Sequence, residues 1–194
     1  MMVDDDDFFL DDDAPLEEET ANTSEPPWVL LVVDDEPGIH DVTSLALRDF
    51  SLDGRRLEII NAYTGDEAFQ LLEKRDDIAV ILLDVVMEND HAGLECARRI
   101  REDLNNLDVR IVLRTGQPGV APEREVILAY DINDYKAKTE LTAQHLFTTV
   151  VAALRSFSDI QARNQYRDDA YAVLHRQNTH ESQILDLMPT PVFY

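Results

Sequence analysis

Runs of aliphatic residues without regular polar alternation constrain this chain more than any other feature. They occupy 28–33 (WVLLVV), 57–62 (LEIINA), 78–83 (IAVILL) and 109–113 (VRIVL), with a weaker candidate at 132–137 (INDYKA). A strand with one wet face alternates apolar and polar residues, so these runs predict strands covered on both faces. Helix-like segments lie between them. PGIHDVTSLALRDF opens with Pro37, which suits a first helical turn. TGDEAFQLLEKR carries Thr64 and Glu67 at capping-box spacing. HAGLECARRIRED puts Leu94, Ala97, Ile100 and Leu104 on one helical face, and PEREVILAYD predicts a shorter fourth helix. Alternation of this kind predicts an α/β fold: a doubly wound, five-stranded parallel sheet with right-handed crossovers.

Bulk properties then narrow the function. The 194 residues allow one medium domain with extensions, and a hydrophobic content of 44% supplies a core. A net charge of −23 argues against a nucleic-acid backbone or an anionic membrane as partner. The single cysteine, Cys96, excludes an internal disulfide and suits a reducing compartment. The start is acidic where a signal peptide is basic, and no apolar run reaches the length of a membrane span. These features predict a cytoplasmic protein. Residues 1–27 hold eleven Asp and Glu and no Lys or Arg, the composition of a disordered tail.

The strands end on polar groups. Asp34 and Asp35 follow the first run and Asp84 the third, while Thr115 closes IVLRT and Lys138 follows DYKA. Ligand sites of open parallel sheets form at the carboxyl ends of the strands, so the fold predicts that these five residues meet. Two unpaired carboxylates about 4 Å apart repel by roughly 4 kcal/mol at an effective dielectric near 20. A divalent cation removes that cost, and an all-oxygen ligand set favours Mg2+. The set suits phosphoryl chemistry: a carboxylate nucleophile, a metal and lysine to neutralise the transferred oxygens, and a hydroxyl to bond one of them. Asp84, alone at its strand end, is the better nucleophile, and Asp34 with Asp35 the better metal pair. Cys96 reads as core, the five histidines show no ligand spacing, and neither a dinucleotide glycine fingerprint nor a Walker loop is present.

With VVDDE after the first strand, Asp84 after ILL, Thr115 after IVLR and Lys138 after DYKA, the stretch 28–157 resembles the receiver domain of bacterial two-component response regulators. The resemblance implies a flavodoxin-like sheet with five helices and a phosphoryl group accepted on Asp84 from a histidine kinase or phosphotransfer protein. It implies Mg2+ held directly by Asp35 and Asp84, with Asp34 helping through water and the carbonyl of Val86 completing the protein ligands. Thr115 and Lys138 would hold the phosphoryl oxygens, and Tyr135 would be the switch aromatic. Two departures stand out. Met87 is followed by Glu88 rather than proline, with Gly93 one residue late, which predicts a longer, acidic loop. Thr139 follows Lys138 where the family has a cis-proline, so a trans bond is expected there. DVVMENDHAGLE with DYKAKTELT also resembles the regulators that precede cyclic-dinucleotide hydrolase domains.

From Thr142 to Met188 the chain has no Gly or Pro for 47 residues. A 4-3 spacing from Leu146 to Met188 is apolar or aromatic at nine of thirteen positions, with Asn164, Arg167, Asn178 and Glu181 the polar ones, and predicts a long C-terminal helical extension. Residues 158–187 read as a linker able to pair as a coiled coil in a homodimer. Residues 188–194 resemble the opening of a PAS domain and read as the start of a following domain. Three functions fit: a receiver module without output of its own, the regulatory front of a histidine kinase or cyclic-dinucleotide enzyme, and a Mg2+-dependent phosphatase. The last needs a second Asp two residues after the nucleophile, where this chain has Val86.

Overall fold

The computed structural model describes residues 25–116, 130–138 and 142–186, with side chains described as far as His175. In chain order the elements are β1 (Trp28–Val33), α1 (Pro37–Ala46), β2 (Ser51–Leu52), β3 (Arg55–Ala62), α2 (Gly65–Lys74), β4 (Ile78–Asp84), α3 (Ala92–Glu102), β5 (Arg110–Thr115), β6 (Asp134–Ala137) and α4 (Ala143–Asp186). The sheet runs β2-β3-β1-β4-β5-β6. β3, β1, β4, β5 and β6 are the five parallel strands expected. The sixth, β2, is an addition: it pairs antiparallel with β3 through a turn at Asp53 and Gly54, whose φ angles are 53° and 76°. An Asp-Gly pair with both residues at positive φ matches the twist of a two-residue hairpin.

The strand composition decides the layers. Every residue of β1, β4 and β5 is buried, as central strands covered on both faces must be. Alternate residues feed two cores. Val33, Ile81, Leu83, Ile111 and Leu113 pack with Ala68 and Leu72 of α2 and Ala97 and Ile100 of α3. Val32, Val80, Leu82 and Val112 pack with Leu47, Phe50, Leu146, Val150 and Leu154 on the face of α1 and α4. Residue by residue, β1 begins and ends where the sequence predicts, whereas β5 starts at Arg110 and β6 at Asp134.

Local signals set the helix starts. Pro37 opens α1, and Thr64 Oγ1 accepts from Glu67 N at 3.1 Å to cap α2. Glu67 Oε2 in turn accepts from Tyr63 N at 2.8 Å. α4 is continuous through the predicted last receiver helix and the predicted linker, about 66 Å at 1.5 Å per residue. The expected pairing seam is therefore split. Leu146, Val150, Ala153 and Phe157 are already buried against the sheet, while Tyr171 and Leu174 are exposed. The acidic segment before Glu25, residues 122–129 of the helix expected at 122–131, Thr139 and Met188 lie outside the described residues.

Candidate functional site

The chain leaves β1 for β3 on one side and crosses to β4 on the other, so the strand order reverses at the β1–β4 boundary. A crevice at the carboxyl ends is where such a sheet binds ligands. Asp34 and Asp35 follow β1 there and Asp84 closes β4. One carboxylate oxygen from each lies within 4.8 Å of the others. Asp34 and Asp84 are buried and Asp35 is exposed.

Lys138, just past β6, brings its ammonium across the crevice. Nζ lies 2.9 Å from Asp84 Oδ2, 3.1 Å from Asp34 Oδ2 and 3.1 Å from Glu36 Oε1. Among the described residues, Asp84 Oδ1 is buried with no hydrogen-bond partner. Burial pushes the Asp84 carboxyl above the usual carboxylate range; the Lys138 hydrogen bond and charge pull it back without cancelling the rise, and Asp34 adds to it. Burial lowers the Lys138 ammonium, but its bonds to Asp84, Asp34 and Glu36 outweigh this and leave it raised. Thr115 is buried at the end of β5, and Tyr135 is already buried in β6 among Ile111, Leu113 and Ile132.

The loop after Asp84 is held on both sides. Val85 N donates to Arg114 O at 3.0 Å, and Gly93 N donates to Val85 O at 3.1 Å, which leaves Val86 half-buried between them. A Cβ at Gly93 would sit 1.9 Å from Asp84 O, so the glycine is what lets α3 approach the strand end. Glu88, in the place of the usual proline, accepts from Gly65 N at 3.1 Å at the start of α2. The acidic loop is therefore pinned to the neighbouring helix, where a carboxylate also suits the helix dipole.

The site thus brings Asp34, Asp35, Asp84 and Lys138 together and sets Thr115 on the same edge. Three residues were missed from sequence. Glu36 shares Lys138. His40 donates from Nε2 to Asp34 O at 2.7 Å, and its Nδ1 lies 3.0 Å from Asn61 Oδ1. Arg114 Nη2 lies 3.4 Å from Asp34 Oδ2. Only Arg114 gave a signal, as a charge inside an apolar strand. Oxygen-only donors and an orphaned buried carboxylate oxygen fit a hard divalent cation. Cys96 is inert packing: burial pushes its thiol up to about 12.

Fold and edge cluster together define a doubly wound α/β domain with an acidic site at its switch point. The response regulator receiver domain family matches residues 30–150, and the chain belongs to that family. It is 52% identical over 134 residues to the 3′3′-cGAMP-specific phosphodiesterase 2 of Vibrio cholerae serotype O1, covering 69% of this chain and 26% of that protein. It is 32% identical over 111 residues to a chemotaxis protein CheY homolog of Campylobacter jejuni, covering 56% of this chain and 79% of the relative. The crystal structure of the signal receiver domain of an HD domain-containing protein from Pseudomonas fluorescens Pf-5 superposes with a TM-score of 0.58 at 20% identity, over 71% of this chain and 93% of that one. The chain thus spans about a quarter of the length of the phosphodiesterase. No helix among the described residues is long and apolar enough to cross a membrane.

Proposed function

We propose that this chain is a cytoplasmic phosphoacceptor module that takes a phosphoryl group on Asp84 from a histidine kinase or phosphotransfer protein. One observation carries the reading: Asp84 offers a buried oxygen with no partner among the described residues, while its other oxygen is held 2.9 Å from Lys138. An Asp84 oxygen attacks phosphorus, the phosphorus–nitrogen bond of the donor phosphohistidine breaks, and the imidazole leaves with that electron pair and takes up a proton. Lys138 and the Thr115 hydroxyl would hold the transferred oxygens. Asp34, Asp35, Asp84 and the Val86 carbonyl would hold Mg2+, whose charge offsets that of the incoming group. Tyr135 would carry the change from Thr115 toward α4, with 28–157 as the receiver and 158–187 as the linker. Incubating the protein with Mg2+ and acetyl phosphate tests this. Intact mass should rise by one phosphoryl group in the wild type and not in Asp84→Asn; equal labelling of the variant would overturn the assignment.

The likeness to the phosphodiesterase favours a second reading, in which the receiver is the regulatory front of a cyclic-dinucleotide enzyme. Expressing the gene with any coding sequence downstream of Tyr194 and assaying cyclic-dinucleotide hydrolysis separates it from a stand-alone module.

A further inference from the structure

We propose that Arg114 is a positioning residue that sets how tightly the acidic site holds a divalent cation, by acting as a resident counter-charge to Asp34. The inference rests on the proposed metal site. Arg114 is the β5 partner of Asp84 in the strand register and is only 4% exposed. It follows Val112 on the α1/α4 face of the sheet, beneath the carboxylates. Nη2 lies 3.4 Å from Asp34 Oδ2, and Nη1 donates to Thr43 Oγ1 of α1 at 3.3 Å. Its Nε is buried with no partner among the described residues.

A guanidinium keeps its charge under any ordinary condition. Lys138 differs in mobility: it stands at the mouth, its side chain 17% exposed, and it has Glu36 as an alternative partner. Arg114 has no such route to solvent. Among the described residues, the carboxylates therefore face one cation that can yield, Lys138, and one that cannot, Arg114. A dication entering the cluster must bind against the field of Arg114 and share Asp34 Oδ2 with it. The same residue lets two buried carboxylates coexist without metal, and it links Asp34 to α1 through Thr43. Its effect is thus to weaken the metal site while keeping the metal-free crevice assembled.

Titration calorimetry of the full chain with MgCl2 at fixed ionic strength tests this on wild type, Arg114→Gln, Arg114→Lys and Asp35→Asn. Arg114→Gln should bind Mg2+ about tenfold more tightly or better, the scale of one unit charge in such a site. Arg114→Lys, which keeps the charge, should stay within about threefold of wild type. A purely structural role would lower stability in both variants without tightening the metal. If Arg114→Gln binds no more tightly while Asp35→Asn binds more weakly, the role of Arg114 is overturned and the metal site stands. If Asp35→Asn is also unchanged, the metal reading itself fails. Should Arg114→Gln not fold, the wild type decides: the Arg114 Nε–Hε resonance should shift on saturation with Mg2+, and an unmoved resonance would overturn the proposal.

Discussion

Lys138 sets its ammonium 2.9 Å from Asp84 Oδ2 although the two residues belong to β6 and β4 ends with the whole of β5 between them. The same nitrogen reaches Asp34 beyond Asp84, so one side chain spans the ends of four adjacent strands. Asp84 is the strained member of the cluster: buried, with one oxygen lacking a hydrogen-bond partner among the described residues, and beside a second carboxylate.

That strain has a sign in pH. The folded state raises the Asp84 carboxyl, so it holds the proton more tightly than the unfolded chain does. The stability this contributes is full below the unfolded value, about 3.9, and is lost as pH rises through the raised folded value. Asp84→Asn removes the buried charge. In chelator at pH 7.5 the variant should therefore be more stable than wild type by about 1–2 kcal/mol. The gap should close as pH falls toward 4. Urea unfolding at a series of pH values measures it; a gap independent of pH would show that Asp84 ionisation is not its cause.

The two β1 aspartates should differ as metal ligands. Asp34 is already engaged by Lys138 and Arg114, whereas Asp35 is exposed at the mouth. Asp35→Asn should weaken Mg2+ binding more than Asp34→Asn, on the order of tenfold against a few-fold. Trp28 opens β1 at its far end, six residues from Asp34, so calorimetry rather than its fluorescence is the suitable readout. Equal losses in the two variants would contradict the division.

Gly93→Ala should cost about 2–3 kcal/mol, because its Cβ would collide with the Asp84 carbonyl and α3 would have to withdraw. Denaturant midpoints give the stability loss, and phosphorylation rate should fall with it as the loop after Asp84 shifts. A neutral substitution would mean that α3 moves away freely.

α4 leaves the domain near Asn164, whose Nδ2 donates to Asp108 Oδ2 at 2.8 Å. Beyond it Tyr166, Tyr171, Val173 and Leu174 are all more than half exposed. Pairing of two such helices should give a weak parallel dimer, held by the segment after Phe157 alone and tightened by a phosphoryl mimic. Light scattering across a concentration series, with and without the mimic, should show mass rising in both states and earlier with the mimic. A strict monomer throughout would leave the helix as a tether.

Much of this was legible in the sequence because burial on both faces leaves strands nowhere to put polar residues except at their ends. Asp34, Asp84 and Thr115 are visible for that reason, and β1 is right to the residue. Thr64 and Glu67 likewise cap α2 as spaced. What was missed depends on packing between distant segments. Arg114 sits where an apolar residue is expected, and its partner Asp34 is 80 residues away. Glu36 becomes part of the site only once Lys138 arrives from β6. The Asp53-Gly54 hairpin carried a local signal, but two short flanking residues made β2 too small to read as a strand.

The central claim is that Asp84 itself carries the phosphoryl group. Labelling the protein with acetyl phosphate and Mg2+, reducing any acyl phosphate with borohydride and mapping the peptides by mass spectrometry locates it directly. Reduction converts an aspartyl phosphate to homoserine, and the account predicts homoserine at position 84 alone. Homoserine at Asp34 or Asp35, or phosphate retained on a serine, threonine or histidine with Asp84 unchanged, would contradict it.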